Sequence, residues 1–541
     1  MGWTSERQAD VNGRRRPHDV DVDVRVVGGM VRGVRERGLL AWRGIPYAAP
    51  PVRQLRFAPP AEVVPWSGTR DASEYGAIAP QSFSNRLIRP PSLMVAADED
   101  CLTVNVHAPS DAGSSSPLPV MVFIHGGGYS SGSSRDFSGR GAGFVSSGRV
   151  VYVSFNYRLG ALGYLDFTGY STPERSFASN IGLRDQVALL RWVRDNIGGF
   201  GGDPDNVTVF GESAGANAVT TLMATPSAHG LFARAIAQSP PPNAVYARSS
   251  TTRWAEEYLE LLRRAVVATD GRAGDGTGGS DGRRSPQQLL ADAATGDLVA
   301  ASVALQVRTP DAYPGEFCFA PVIDGDVLPE RPMRAFRDGR AHRVPLIIGT
   351  NDREGSIFRG RVDILPRTPT RIQALFDRAP AASRQAMRDA YPGLPGRRAA
   401  ADFGGDYGFW YPSTRVADFH SRYAPVWSYR FDVAPRLLEL MGLDATHGVE
   451  MFALFDKTDE PLARVMTSLG GYEVYVAAGE RMRSLWLRFA ENGVTADVET
   501  WPRYDELARR TLVIDDADRI ESDPRRVRRR AWNRFIPALA G

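Results

Sequence analysis

The chain has 541 residues, 43% hydrophobic and 10% aromatic, ample material for a large buried core. Its 65 basic and 62 acidic groups nearly cancel to a net charge of +3, which argues against a dedicated nucleic-acid binder. Two cysteines, Cys101 and Cys318, cannot build a disulfide framework, and no run approaches ~18 consecutive apolar residues, so no membrane span is expected.

Residues 1–19 are polar and charged and lack an apolar h-region, which predicts a disordered tail, no secretory leader and a cytoplasmic location. From Val20 apolar residues alternate through VDVRVVGG, a turn, then VRGVRE, the pattern of an N-terminal hairpin. Pro-rich segments follow at 46–60. Segments 119–124 (PVMVFI) and 150–156 (VVYVSFN) are continuous runs of β-formers, as in strands buried on both faces of a mostly parallel sheet. Over 182–197, Leu183, Val187, Leu190, Val193 or Arg194, and Ile197 recur at three- and four-residue spacing, predicting a helix that stops at GGFGGDP. Segment 207–210 reads as a short strand and 214–224 as a helix. Segment 270–286 is Gly-rich and low in hydrophobics, which predicts a flexible insertion. Segments 345–349 (PLIIG) and 426–431 (VWSYRF) are further strands. Length alone suggests three or four domains of ~150 residues. The alternation of strand and helix instead predicts one α/β domain over 20–541, with helical insertions in its second half.

Gly211-Glu212-Ser213-Ala214-Gly215 fits G-x-S-x-G between a strand and a helix. A nucleophile on so sharp a turn needs small neighbours. Upstream, Phe123-Ile124-His125-Gly126-Gly127-Gly128 directly follows a strand. Acyl transfer needs backbone N–H groups aimed at a developing oxyanion, and glycines allow that approach. Gly127, Gly128 and Ala214 are the candidate donors, with Gly126 beside them. The Gly-rich run lacks the lysine of a phosphate-binding loop, and no GxGxxG is followed by an acidic residue at ribose distance. There is no H-E-x-x-H and no Cys/His cluster, so neither metal nor cofactor is expected.

With these two motifs in this order the sequence resembles the type-B carboxylesterases, the family of cholinesterases and fungal lipases. The resemblance runs from about Val22 to Val513. It includes Arg43-Gly44-Ile45-Pro46-Tyr47-Ala48 with Arg56-Phe57, and Glu99-Asp100-Cys101-Leu102-Thr103-Val104-Asn105-Val106. Asn156-Tyr157-Arg158-Leu159-Gly160 and Phe200-Gly201-Gly202-Asp203-Pro204 also match. The resemblance implies an α/β-hydrolase fold, a mostly parallel central sheet flanked by helices, and hydrolysis of small-molecule esters.

That fold orders its triad as nucleophile, acid, base. Glu354, in the loop after PLIIG, is the candidate acid, and the family uses Glu at the matching position; Asp352 is the alternative. Of seven histidines, His18 lies in the tail, His125 precedes the Gly-rich loop, and His229 follows the elbow too closely. His107, His342 and His420 have no matching context. His447, in Asp444-Ala445-Thr446-His447-Gly448, resembles the family's His-Gly block before an aromatic strand and is the candidate base.

Some features depart from the family. Secreted members pair a cysteine with the position of Cys101; here the partner position matches Ala79, which implies no such disulfide and a reducing compartment. The family's gorge wall or lid corresponds to 80–98, which carries Phe83 but no Trp, so choline esters are not the implied substrate. Arg56 and Glu99 are expected to pair as a structural brace by the same resemblance. Glu212 and Ser239 are possible auxiliary residues. The arginine-rich run 525–530 reads as a solvated helix face. A non-catalytic adhesion protein on the same fold is the rival class. Within enzymes, lipase, thioesterase or amide specificity stays open, as does monomer against homo-oligomer.

Overall fold

The computed structural model describes residues 22–82, 96–113, 116–270, 284–358, 363–494 and 499–536. The 1–19 tail, most of the 80–98 loop and most of the 270–286 insertion lie outside the described residues. Helices Arg248–Asp270 and Pro286–Asp292 border that insertion, and a Ser285/Gln288 capping box starts the second.

In chain order the first strands are β1 (Val22–Val26), β2 (Gly29–Glu36), β3 (Leu39–Pro46), β4 (Thr69–Asp71), β5 (Thr103–Pro109), β6 (Leu118–Ile124), β7 (Val151–Phe155) and β8 (Gly202–Glu212). Then follow β9 (Arg234–Gln238), β10 (Tyr246–Ala247), β11 (Val322–Ile323), β12 (Leu346–Asn351), β13 (Val426–Phe431), β14 (Arg510–Ile514) and β15 (Arg519–Ser522). Among the described residues, thirteen strands share one sheet in the order β1-β2-β3-β5-β7-β6-β8-β9-β12-β13-β14-β15, with β4 beside β2. β10 and β11 pair separately. From β7 to β14 the neighbours are parallel. Both margins are antiparallel except for β4, which runs parallel to β2, and they include the N-terminal hairpin with Val26 opposite Gly29.

The continuous apolar runs are explained by burial on both faces. Side chains alternate across a strand. Val120, Val122 and Ile124 of β6 enter one core, and Met121 and Phe123 enter the other. In β12, Leu346 and Ile348 face the first core and Ile347 the second. Helix Ile181–Asn196 covers the first face through Leu183, Val187, Leu190 and Val193, while Arg194 is exposed. Helix Tyr472–Asn492 covers the second through Tyr475, Met482, Trp486 and Phe489.

Two expectations are corrected. The segment after His447 is the short helix Glu450–Leu454, not an aromatic strand. The arginine run is a solvated face only in part: Arg526 and Arg530 are exposed, and the other three arginines turn inward. Arg525 pairs with Asp352 and Asp406, Arg528 with Asp402 and Asp406, and Arg529 with Asp523. Helix Arg526–Phe535 also buries Trp532 and Phe535, which brings Arg528 and Arg529 down onto acids packed beside it. Cys101 and Cys318 are both buried and free. No single helix among the described residues is long and apolar enough to cross a membrane.

Candidate active site

Parallel strands deliver their C-terminal ends to one edge, where open α/β sheets bind ligands. β6 ends at the Gly-rich loop, β8 at Ser213, and β12 just before Glu354. His447 lies beyond β13.

At Ser213 the backbone takes φ 58° and ψ −123° between β8 and the helix Ala214–Leu222. That conformation is strained for a residue with a side chain and persists where its surroundings enforce it. The Ser213 N–H donates to Gln238 O at 2.9 Å, and Ser213 O accepts from Asn217 N at 2.9 Å. The turn needs bare glycine behind it, since a Cβ on Gly215 would fall 2.0 Å from Ile124 O. Ala214 opens the helix, so its N–H has no acceptor within it.

In the facing loop, Gly127 has φ 109°, and a Cβ there would lie 2.1 Å from Ser131 O. Two glutamines tie this loop to the walls around it. Gln81 Nε2 donates to Gly132 O at 2.9 Å while its Oε1 accepts from Gly132 N at 3.0 Å. Gln306 Nε2, from helix Thr295–Ala312, donates to Ser130 Oγ at 2.8 Å.

Glu354 begins a short 3-10 turn and is 2% exposed. Its Oε1 accepts from Asn351 N and Ser239 Oγ, each at 2.6 Å. Its Oε2 lies 2.5 Å from His447 Nδ1. Asp352, the alternative acid, points to Arg525 and Arg430 instead. The acid turn and the histidine loop are latched together. Arg353 reaches Asp444 Oδ2 at 2.6 Å and Gly442 O at 3.1 Å, and Ser356 Oγ reaches Leu443 O at 2.6 Å.

His447 Nε2 is buried, has no hydrogen-bond partner among the described residues, and lies 3.2 Å from Glu212 Oε1. Phe409 and Phe358 pack on the ring, with centroids 4.4 and 5.2 Å away. Burial disfavours the imidazolium, but the facing carboxylates of Glu212 and Glu354 outweigh it and raise His447 to about 9. For Glu212 burial outweighs His447 and pushes the carboxyl up to about 8. Ser213, Glu212, His447, Gly127 and Gly128 all line one cavity of about 950 Å³. An imidazole held at one nitrogen by a carboxylate and lining the same cavity as a serine is suited to take up a hydroxyl proton there.

No motif singles out Glu450, Arg353, Gln81 or Gln306. Glu450 is wholly buried, accepting from Asn351 Nδ2 at 2.6 Å and Gln238 Nε2 at 3.3 Å. Burial raises its carboxyl above the usual range, against the opposing hydrogen bond from Asn351. Its three-residue spacing from His447 was the available signal, and it is a weak one. Among the described residues no cluster of His, Cys, Asp and Glu is arranged to hold a metal ion.

A strand–turn–helix serine elbow, a Gly-rich loop beside it, and a Glu–His pair on the same sheet edge define an α/β-hydrolase. Solved structures agree. A thermophilic PNB esterase superposes with a TM-score of 0.80 at 33% identity, covering 94% of this chain and 99% of that one. A Geobacillus stearothermophilus carboxylesterase gives 0.77 at 30% identity with the same coverages. In sequence, the para-nitrobenzyl esterase of Bacillus subtilis is 35% identical over 92% of this chain and 95% of its own. Carboxylesterase 1E of Mus musculus is 30% identical over 86% and 84%. The carboxylesterase family model matches residues 19–532, and the chain belongs to that family and is a carboxylesterase.

Proposed function

We propose that Ser213, His447 and Glu354 form the catalytic triad for hydrolysis of small-molecule carboxylic esters. His447 Nε2 takes the Ser213 Oγ proton as that oxygen attacks the ester carbonyl. The N–H groups of Gly127, Gly128 and Ala214 stabilise the oxyanion. His447 then gives its proton to the leaving alcohol, and water, deprotonated by His447, releases the acid. Glu354 fixes the ring and stabilises its cationic form, and Ser239 and the Asn351 N–H hold Glu354. The observation that carries this reading is the 2.5 Å contact from Glu354 to His447, which lines the same cavity as Ser213.

The test is p-nitrophenyl ester hydrolysis by wild type and Ser213→Ala, with a fluorophosphonate probe read by mass spectrometry. Wild type is expected to turn over ester and carry the probe on Ser213. Activity that survives Ser213→Ala sinks the assignment. The reading of 20–541 as one catalytic domain rests on the single sheet that runs from β1 to β15. A cytoplasmic location is supported by the two free cysteines, and cell fractionation checks it.

A further inference from the structure

The three N–H groups proposed as oxyanion donors belong to peptides whose carbonyl ends are all tied down. A trans peptide is planar, so its C=O and N–H point in opposite directions, and fixing the carbonyl aims the N–H. The Ala214 N–H shares its peptide with Ser213 O, which accepts from Asn217 N at 2.9 Å. The Gly128 N–H shares its peptide with Gly127 O, which accepts from Ser131 N at 3.0 Å and Ser130 N at 3.1 Å. The Gly127 N–H shares its peptide with Gly126 O, and the partner of that carbonyl is a side chain: His125 Nδ1 lies 2.9 Å from it. This last peptide stands beside the nucleophile turn, since a Cβ on Gly126 would fall 3.1 Å from Ser213 Cβ.

The contact fixes the state of the ring. A carbonyl oxygen cannot donate, so Nδ1 carries the proton. His125 Nε2 is buried with no hydrogen-bond partner among the described residues, which suits a nitrogen without a proton. His125 is 5% exposed, and burial holds it below the ordinary histidine range, so the ring stays neutral. The ring is also wedged in place. It stacks on Tyr157 with centroids 4.4 Å apart, and the Tyr157 hydroxyl donates to His125 O at 2.7 Å. Gly132 packs against the bond itself, since a Cβ there would fall 2.4 Å from Gly126 O and 2.6 Å from His125 Nδ1. Gln81 holds Gly132 there by both its N–H and its carbonyl.

We propose that His125 is a positioning residue of the oxyanion hole: its Nδ1–H holds Gly126 O and so points the Gly127 N–H at the carbonyl that Ser213 attacks. The proposal rests on the Ser213 reading. Backbone N–H groups anchor the other two donor peptides, whereas this one depends on a side chain. One substitution at His125 can therefore misaim a donor and leave every glycine in place.

The experiment uses a matched pair of variants. Asn and Leu share one branched shape, but Asn places an N–H close to the position of His125 Nδ1 and Leu offers no donor. Both lose the stack on Tyr157 alike. kcat and KM for p-nitrophenyl butyrate are measured for wild type, His125→Asn and His125→Leu after melting curves establish folding. Inhibition constants follow for an alkyl trifluoromethyl ketone and for the methyl ketone of the same chain length. Ser213 Oγ adds to the carbonyl carbon of the first, its proton passes to His447, and the ketone oxygen becomes an oxyanion; the second binds without that step. His125→Leu should lower kcat by about 10²-fold, the scale of one lost donor, and keep KM within about threefold. It should weaken the trifluoromethyl ketone by a similar factor and leave the methyl ketone nearly unchanged, because only the first resembles the transition state. His125→Asn should stay within about tenfold of wild type throughout, because its N–H takes over the carbonyl.

Equal losses in His125→Asn and His125→Leu overturn the proposal. So does a folded His125→Leu that keeps wild-type kcat, or one that weakens both ketones alike. Should His125→Leu fail to fold, His125→Phe, which keeps a ring on Tyr157 and has no donor, is judged by the same outcomes. If wild type cleaves no ester and Ser213 takes no fluorophosphonate, the Ser213 reading itself falls, and the proposal with it.

Discussion

Replacing Glu212 with Gln should move the acidic limb of the pH–activity profile downward. His447 must be neutral to act as base, so activity appears above its pKa, and anything that raises that pKa pushes the limb up. Glu212 Oε1 stands 3.2 Å from His447 Nε2 and is the strongest raising influence on the ring. Glu212 and His447 face each other and titrate as a pair, and an ionised Glu212 favours the proton on the ring. Two unit charges at that separation attract by about 1 kcal/mol in a water-like medium and about 5 kcal/mol at an effective dielectric constant of about 20. At about 1.4 kcal/mol per pH unit, even the weaker figure moves the limb by about one unit. The assay is kcat/KM for a non-ionising ester from about pH 5 to about pH 10, since that ratio reports the free enzyme's groups. A limb that stays in place or rises in Glu212→Gln would refute the claim that this carboxylate holds the proton on His447.

Glu354→Gln should lower kcat by about 10³–10⁴-fold, whereas Asp352→Asn should keep kcat within about threefold and lose thermal stability as Arg525 loses a partner; steady-state kinetics with melting curves separate the two. Gly127→Ala should cost about 10²–10³-fold in kcat, because a Cβ 2.1 Å from Ser131 O displaces the loop that aims the donor; a wild-type kcat in a folded variant counts against that role. Glu99→Ala strips both oxygens from Arg56, held at 2.6 and 2.8 Å, and also frees Thr295, at the start of the helix that carries Gln306. The pair is largely buried, so unfolding in urea should show a loss of about 3–5 kcal/mol. An unchanged midpoint would show that the three carbonyls around Arg56 hold it alone.

How much of this was legible depended on distance along the chain. The Ser213 turn was readable because strand, glycine, serine and helix are contiguous, and one local strain requires them all. The parallel strands were readable because burial on both faces leaves no polar alternation. His447 and Glu354 needed a known chain order, since nothing within a few residues of either announces the other. Gln306 was silent, because a glutamine in an unremarkable helix gains meaning only when a loop some 180 residues away in sequence arrives beneath it, as Ser130 does.

The 525–530 run shows the same limit from the opposite side. A cluster of arginines reads as a solvated face when judged alone. This chain, however, carries 62 acidic groups against 65 basic ones, and Lys457 is its only lysine. A planar guanidinium forks onto carboxylates and is less strongly hydrated than an ammonium, so arginine tolerates burial in pairs far better than lysine. Asp352, the helical pair Asp402 and Asp406, and Asp523 just before the run meet Arg525, Arg528 and Arg529. Trp532 and Phe535 on the same helix already signal that one side of it faces a core. In a protein whose cations are nearly all arginine, a basic run interleaved with large aromatics is therefore better read as an ion-paired seam. Here that seam clamps Asp352, two residues before the carboxylate that holds His447.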